Sequence, residues 1–404
     1  MSGVPRRGQL LLLTAACILL ITTGIRQSLG LFVLPIVAST GVGLAAVSFA
    51  LAVGQFVWGA AQPLFGAIAD HHGASRVMII GALLVALGGL LAATNSSEAG
   101  LVLSLGVLMA AGAAAGSFAI LIGSAAQYVP AAQRSLAAGL INAGGSLGQL
   151  LFAPLAQLLI GRGGWRMALL ALSAAALLTI PLAWLFRGAH AAAPAVAPPA
   201  AGSLGTQLRT ALGDRSYLCL HLGFFTCGFH IAFLVTHLPG DLQMCGLSAT
   251  VAANSLGLIG LFNVGGSIGA GWLGSRYRMK DLLTVMYTSR AVIVLVYLFM
   301  PKTALNVYLV SAALGITWLA TVPPTAGLVG KLFGTRYLTT LFGLTLLTHQ
   351  MGGFLGAWLG GVAMARLGSY DWIWYADMGL ALLAAASNLP IRETRPLVPA
   401  AARA

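Results

Sequence analysis

Gly66-Ala67-Ile68-Ala69-Asp70-His71-His72-Gly73-Ala74-Ser75-Arg76 lies between two long apolar runs. Its glycines predict a short, tight loop that joins two membrane helices and carries one acid and one base. A second version follows about 205 residues later, as Gly271-Trp272-Leu273-Gly274-Ser275-Arg276-Tyr277-Arg278-Met279-Lys280, with Ser275 in place of the acid. One such motif in each half predicts a chain built from two related halves.

The composition predicts an integral membrane protein. The chain is 59% hydrophobic and 7% charged, whereas soluble domains carry about 25% charged residues. Apolar runs of about 20 residues, long enough to cross ~30 Å of hydrocarbon, recur along the whole length. We therefore expect a lipid bilayer as the surroundings and no soluble catalytic domain.

Twelve transmembrane helices fit the chain, because lipid cannot satisfy exposed backbone groups and alternating strands of barrel type are absent. The predicted fold is an all-α integral membrane protein with two six-helix bundles. Its predicted spans are 10–35, 44–68, 76–94, 100–127, 135–160, 166–186, 215–239, 248–274, 281–300, 304–331, 338–365 and 371–390.

The domain division follows from a change in composition. An Ala- and Pro-rich stretch, typical of a flexible linker, interrupts the apolar pattern between the sixth and seventh spans. We predict an N-terminal bundle at 1–186, a cytoplasmic linker at 187–214, a C-terminal bundle at 215–391 and a cytoplasmic tail at 392–404.

The basic residues predict the orientation. With a cytoplasmic N-terminus, fifteen of the 21 Lys and Arg residues fall in inner segments and four in outer segments. This bias predicts a multi-pass protein of a bacterial-type cytoplasmic membrane, with both termini inside. The same placement in short loops explains the net charge of +13 and argues against a nucleic-acid partner.

A second internal sequence repeat lies in spans 5 and 11. Asn142-Ala143-Gly144-Gly145-Ser146-Leu147-Gly148 and Gln350-Met351-Gly352-Gly353-Phe354-Leu355-Gly356 are about 208 residues apart. Each has an amide followed by glycines at the same intervals, and small residues at such spacing let helices approach closely. The matched register favours an internal duplication.

Six plus six spans, a central linker and the loop after span 2 together resemble the major facilitator superfamily. Its loop pattern is Gly-x-x-x-Asp-Arg/Lys-x-Gly-x-Arg-Arg/Lys, which Gly66, Asp70, Gly73 and Arg76 match. The resemblance implies a substrate site near mid-membrane between the halves and alternating access. It also implies a cytoplasmic gating network of these four residues, with Arg276 from the second copy.

Ionisable residues at membrane depth are the first candidates for the substrate site. Of the eight acids, only Asp377 is clearly within a span, whereas Arg26 lies about 16 residues into the first span. An unpaired guanidinium that faces a cavity suits a carboxylate, which it binds bidentately. The alternatives are an Arg26 paired with backbone carbonyls or one that snorkels outward. Arg290, in span 9, is expected to be structural, with Asp377 as a possible partner.

Three histidines in the second half complete the candidate site. His230 and His237 are seven residues apart on span 7, and His349 is followed by Gln350 at the depth of Arg26. We predict substrate contacts from His230, His349 and Gln350 and proton transfer by all three histidines; the alternative is hydrogen-bonded interior histidines. The further polar candidates for the substrate site are Gln27, Asn142 and Asn263.

Two segments are similar to the bacterial branch related to monocarboxylate transporters and oxalate/formate exchangers: Gly24-Ile25-Arg26-Gln27-Ser28-Leu29-Gly30-Leu31-Phe32 and Gly228-Phe229-His230-Ile231-Ala232-Phe233. The animal carriers have an Asp and an Arg four apart in helix 8, where this chain has Asn263 and Ser267. This departure either removes that family's proton and anion mechanism or moves it to Arg26 and the histidines.

The sequence predicts a secondary active transporter of a small organic anion, with a monocarboxylate favoured, by proton symport or anion exchange. The alternative is a proton-coupled drug or metabolite exporter, which the absence of acids from helices 1, 4 and 5 disfavours. A non-transporting receptor is a weaker possibility. We expect no enzyme, no cofactor and no metal site, because no nucleophile–base pair or metal cluster stands out. We also expect a monomer, since twelve helices suffice for one.

Overall fold

The structure, a computed structural model, describes residues 5–95, 97–126, 134–187, 204–334 and 338–393. Within these ranges the regular elements are helices. They are α1 Arg6–Ser28, α2 Val33–Thr40, α3 Leu44–His72, α4 Ala74–Thr94, α5 Glu98–Leu101, α6 Ala110–Ala115, α7 Phe118–Ala126, α8 Arg134–Ala176, α9 Thr179–Trp184, α10 Leu204–Gly213, α11 Arg215–Met244, α12 Ala249–Arg276, α13 Met279–Phe299, α14 Ala304–Thr317, α15 Val322–Phe333, α16 Leu338–Leu367 and α17 Asp371–Asn388. A 3₁₀ turn, Leu29–Phe32, joins α1 to α2, and a π-helical segment, Val102–Met109, joins α5 to α6.

The described helices account for twelve membrane crossings. Nine segments among the described residues are long and apolar enough to span a bilayer. One of them, Gly139–Trp184, has 46 residues, about 69 Å of helix, or twice the ~30 Å hydrocarbon thickness. It turns at Gly164, whose φ of 75° and ψ of 169° are not helical, and so makes two crossings. With α16 and α17 the count reaches twelve, and the predicted fold of two six-helix bundles is confirmed.

The duplicated glycines of the first bundle fix the packing of α8 on α1. A Cβ atom on Gly144 would lie 2.3 Å from the carbonyl oxygen of Ala16, and one on Gly148 would lie 2.1 Å from that of Leu20. Real Cβ atoms do not approach an oxygen this closely, so any larger residue forces the two helices apart.

The second bundle repeats this contact between α16 and α11. The Cβ positions of Gly352 and Gly356 lie 2.0 and 2.2 Å from the carbonyl oxygens of Phe225 and Phe229. The glycines of the second contact are 208 residues after those of the first, and the residues whose carbonyl oxygens they meet are 209 residues after their counterparts. The duplication predicted from sequence therefore recurs as one packing arrangement in each half.

The motif at 66–76 is less of a loop than predicted. Gly66 through His72 continue α3, and Gly73 alone, at φ 89°, separates it from α4. A single residue at positive φ suffices to reverse the chain, because glycine has no Cβ to hinder it. In the second copy α12 runs to Arg276 and α13 begins at Met279.

The predicted linker also differs from expectation at its C-terminal end. Residues 188–203 lie outside the described residues, but Leu204–Gly213 forms helix α10. Its apolar residues recur at helical spacing, with Leu208 against the core and Ala211 buried. Gln207 Nε2 donates to the carbonyl of Phe333 at 3.3 Å. We call the end of the molecule that carries α10 the linker face and the opposite end the distal face.

The two bundles touch toward the distal face and separate toward the linker face. Along α3 and α16, the Cβ position of Gly361 lies 2.2 Å from Ser48 Oγ, and that of Gly59 lies 2.3 Å from Gln350 Cγ. Nearer the linker face, no described residue lies within 4 Å of the Cβ position of Gly66. Among the described residues, the interface is therefore closed at the distal face and open at the linker face.

The close approach of α8 to α1 is tested by Gly148→Ala, with Gly139→Ala as the matched control on the same helix. The Cβ position of Gly139 meets nothing within 4 Å, so its replacement is expected to be neutral or slightly stabilising. Gly148→Ala is expected to destabilise the protein by about 1–3 kcal/mol through overpacking. Melting curves of the purified proteins measure this, and equal melting temperatures for the two variants would contradict the packing described.

Candidate substrate-binding site

A cavity of about 30 Å³ lies inside the first bundle, where α11 of the second bundle covers it. Its polar lining comes from Thr22, Arg26, Gln55 and Thr236. The rest of the wall is mainly apolar, with contributions from Ile25, Leu29, Leu51, Val85, Leu105 and Met109. A mostly apolar cavity with a few convergent polar groups is typical of a small-molecule site.

Arg26 supplies the positive charge of this cavity from the last turn of α1. Its Nη1 donates to Gln55 Oε1 at 2.9 Å, and its guanidinium carbon lies 4.3 Å from the ring centre of Trp58. Its buried Nε has no hydrogen-bond partner among the described residues. Arg26 therefore neither snorkels to the surface nor pairs with backbone carbonyls; it is held by an amide and an indole of α3.

Arg26 has no carboxylate partner in the part of the chain that the structure describes. The ion pairs found there join His230 to Asp377, Arg278 to Asp281, and Lys331 to Glu393. A guanidinium removed from water without a countercharge is unfavourable. The cavity is consequently electropositive, with donors free to bind an anion.

Gln350 and His349 reach the same region from the second bundle. The Cβ position of Gly353 on α16 lies 3.5 Å from Gln55 Cβ and 3.6 Å from Gln350 Oε1, so both glutamines lie near this point of the interface. Gln350 Nε2 and His349 Nδ1 are 3.1 Å apart, which lets the amide donate to the ring. His349 and Gln350 do not line the cavity itself, so their predicted contact with the substrate stays a prediction.

The other two histidines lie away from the cavity. His230 is fully buried, and its Nδ1 lies 2.6 Å from Asp377 Oδ2. His237 Nε2 donates to the carbonyl of Ala357 at 2.6 Å, and the ring fills the space left by Gly360. Neither ring reaches Arg26, so the structure does not support the predicted substrate contact by His230. Asp377, expected as a partner of Arg290, is instead bonded to a histidine.

The remaining polar candidates are also placed outside the cavity wall. Asn263 holds three elements together, because it donates to Ser146 Oγ at 2.9 Å and accepts from Leu319 N at 2.9 Å. Gln27 is buried and Asn142 is half-buried. Asn263 has its hydrogen bonds satisfied within the protein, which favours a structural role at the interface of α8, α12 and α14.

The predicted gating residues line the linker face. Gly66 and Gly73 lie at the end of α3, Arg76 is exposed in the first turn of α4, and Arg276 is exposed and stacks on Trp272 at 4.0 Å. The side chain of Asp70 lies outside the described residues, so the predicted pairing of Asp70 stays a prediction.

Sequence reasoning missed Gln55 and Trp58, which hold Arg26. They are three residues apart and so share one face of α3. A signal was present, since Gln55 is a polar residue inside an apolar span. This signal is weaker than that of Arg26, because placing a neutral amide in lipid costs less free energy than placing a charge there.

Comparisons with known proteins agree with this architecture. The sequence profile of the Major Facilitator Superfamily matches residues 12–357. Monocarboxylate transporter 13 of Bos taurus is 29% identical over 351 residues, which cover 86% of this chain and 80% of that protein. The oxalate:formate antiporter of Oxalobacter formigenes is 25% identical, over 88% of this chain and 85% of its own length.

The fold is likewise similar to a solved structure. The crystal structure of a D-xylose–proton symporter aligns with a TM-score of 0.73 at 15% identity, covering 96% of this chain and 98% of the symporter. At this identity the similarity shows the fold alone. Together with the profile match, the duplicated packing and the twelve crossings, it shows that this multi-pass membrane chain is a transporter of the major facilitator superfamily.

Proposed function

We propose that the protein carries small monocarboxylates across the membrane by alternating access, as a proton symporter or an anion exchanger. The observation that carries this proposal is the guanidinium of Arg26, which lines a cavity without a carboxylate partner among the described residues. The two named relatives, a monocarboxylate transporter and an oxalate:formate antiporter, support the same substrate class.

The cavity chemistry explains why a short carboxylate fits. A carboxylate accepts two parallel N–H bonds from a guanidinium, and such charge-assisted pairs are roughly twice as strong as neutral hydrogen bonds. The side chains of Ile25, Leu51 and Met109 offer an apolar wall for a short carbon chain. Thr22 and Thr236 add hydroxyl groups to the same cavity. A cation finds no such partner there, which disfavours the exporter alternative.

Bundle geometry supports the alternating-access part of the proposal. The bundles touch at the distal end of α3 and α16 and separate toward the linker face, so this conformation opens the interface toward the linker face. Rocking of one bundle against the other exposes the cavity alternately to the two sides. The bias of the basic residues supports a cytoplasmic linker face.

The anion site is tested by melting curves of purified protein with lactate, pyruvate, formate, oxalate, benzoate and, as a cation, ethidium. For the wild type we expect stabilisation by one or more carboxylates, of about 2.7 kcal/mol at 100 times the Kd. Arg26→Gln is expected to lose this effect, and Arg26→Lys to retain only part of it because a lysine cannot bind bidentately. Arg366→Gln, a change at an exposed residue, is the control. Equal stabilisation of wild type and Arg26→Gln would contradict the proposal.

Gln55→Glu tests the same site from the opposite side. The new carboxylate would face Arg26 at the position of the present 2.9 Å hydrogen bond and act as a tethered substrate. We expect a higher melting temperature of the empty protein and at least tenfold weaker carboxylate binding, or about 1.4 kcal/mol. Gln62→Glu, two turns along α3, is the control. Unchanged carboxylate affinity in Gln55→Glu would show that the substrate binds elsewhere.

The proposed orientation is tested on Cys245, an exposed free thiol after the distal end of α11. Partial desolvation and the nearby Asp241 carboxylate raise the pKa of the Cys245 thiol. Because the thiolate is the reactive form, labelling is expected to quicken with alkaline pH. A membrane-impermeant maleimide should label intact cells, and Cys245→Ser should abolish that signal. Labelling of this residue only after permeabilisation would reverse the topology.

A further inference from the structure

A cluster of polar side chains lies inside the second bundle, apart from the Arg26 cavity. Its members come from four separate parts of the bundle and are all fully buried. They are Cys227, His230, Arg290, Trp318, Thr321 and Asp377. We call this group the buried cluster. Polar groups buried this deeply in a membrane protein are costly and mark functional sites by default.

The core of the buried cluster is the pair of His230 and Asp377. His230 Nδ1 lies 2.6 Å from Asp377 Oδ2. An ionised carboxylate only accepts, so Nδ1 of the histidine donates and Nε2 of the neutral ring carries a free lone pair. His230 Nε2 and Asp377 Oδ1 have no hydrogen-bond partner among the described residues. The pair therefore has an unused proton acceptor on each side.

Arg290 provides the positive charge beside this pair. Its Nη2 donates to the carbonyls of Thr317 and Trp318 at 2.7 and 3.0 Å, where α14 ends. Its Nε and Nη1 have no hydrogen-bond partner in the described part of the chain. Buried polar groups are nearly always bonded to protein or water, so several unpartnered groups in one place indicate a cluster built for more than packing.

The groups that lie against His230 are Asp377 of α17, Arg290 of α13 and Trp318, whose ring centre lies 5.8 Å from that of the histidine. Tyr287 lies beside Arg290, and Thr321 and His349 interact with Cys227. With His230 neutral, the charges of Arg290 and Asp377 cancel. One added proton leaves the cluster with a single positive charge, which the existing carboxylate stabilises directly.

Helix α11 and the side chain of His349 lie between the buried cluster and the substrate cavity or its surroundings. Helix α11 carries His230 and, within the next two turns, Val235 and Thr236 of the cavity wall. His349 has 8% exposure, compared with none for the cluster, and it interacts with the Cys227 thiol. Its Nε2 is also unpartnered among the described residues. His349 therefore links Gln350 to the Cys227 side of the buried cluster.

We propose that the His230–Asp377 pair is the site at which the protein carries a proton together with its substrate. This proposal rests on the proposed transport of a carboxylate and decides between symport and exchange. A proton taken from water forms an N–H bond at His230 Nε2, which has no hydrogen-bond partner among the described residues. That bond breaks toward water after the bundles rock, while the carboxylate crosses as an anion on Arg26. One proton and one carboxylate leave the net charge of the loaded transporter equal to that of the empty one.

The first test separates transport from proton coupling in proteoliposomes, with L-lactate as the probe. Counterflow of labelled lactate at equal pH needs no net proton movement, whereas accumulation driven by a pH gradient does. We expect His230→Gln and Asp377→Asn to keep counterflow within about threefold of wild type and to lose at least tenfold in gradient-driven accumulation. His237→Gln is the matched control, because His237 is also buried on α11 and hydrogen-bonded to Ala357.

The second test needs no substrate. Purified protein in unbuffered detergent solution is titrated between pH 5 and 9 and its bound protons are counted. The wild type and His237→Gln are expected to bind about one proton more than His230→Gln. This result stands even when lactate is not transported, so failure of the substrate proposal and failure of the proton site are told apart.

Three results would overturn the proton site. The first is gradient-driven accumulation that falls only in proportion to counterflow in both variants. The second is a proton count that is the same in His230→Gln and in the control. The third is a failure of both His230→Gln and Asp377→Asn to fold, as judged by gel filtration and melting, which would make the pair a structural one.

Discussion

A guanidinium inside a membrane protein must find a negative partner or an arrangement of dipoles that replaces water. Arg26 has an amide at 2.9 Å and an indole ring at 4.3 Å, and neither removes its charge. The described part of the first bundle offers no buried carboxylate to complete the pair. In the proposed function, this unmet charge is what suits an otherwise apolar cavity to an anion.

The glycines make this arrangement possible by bringing helix backbones into contact. Gly30 of the 3₁₀ turn has its Cβ position 1.8 Å from the carbonyl oxygen of Val235, so α11 lies directly on the first helix beside Arg26. Contacts of this kind are rigid, because backbone atoms cannot move aside by a change of rotamer as side chains do. The contacts of α8 on α1 and of α16 on α11 therefore let each bundle move as one rigid body, whereas the contact of Gly30 with Val235 joins the two bundles and has to change when they rock. Helix α11 carries part of the cavity wall and part of the buried cluster.

Sequence alone sufficed for the fold because membrane crossing is set by length and hydropathy. The duplicated glycines predicted a close approach of helices and an internal duplication, but not which helices touch: Gly144 and Gly352 repeat one contact, on α1 and on α11, inside each bundle. Arg26 was found by its depth. The substrate contact of His230 stays a prediction, because spacing along a helix does not say whether a face looks toward the interface or into its own bundle. Gln55 was missed because its importance lies in a contact 29 residues away in sequence, which no local pattern records.

The central claim is that the substrate carboxylate sits on Arg26. Solid-state NMR measures this directly, through dipolar coupling between carboxyl-labelled ¹³C lactate and ¹⁵N-arginine in the reconstituted protein. A bidentate pair predicts a carbon–nitrogen distance of roughly 4 Å or less, present in the wild type and absent in Arg26→Gln. A coupling of the same strength in Arg26→Gln would place the carboxylate on another arginine and contradict the account.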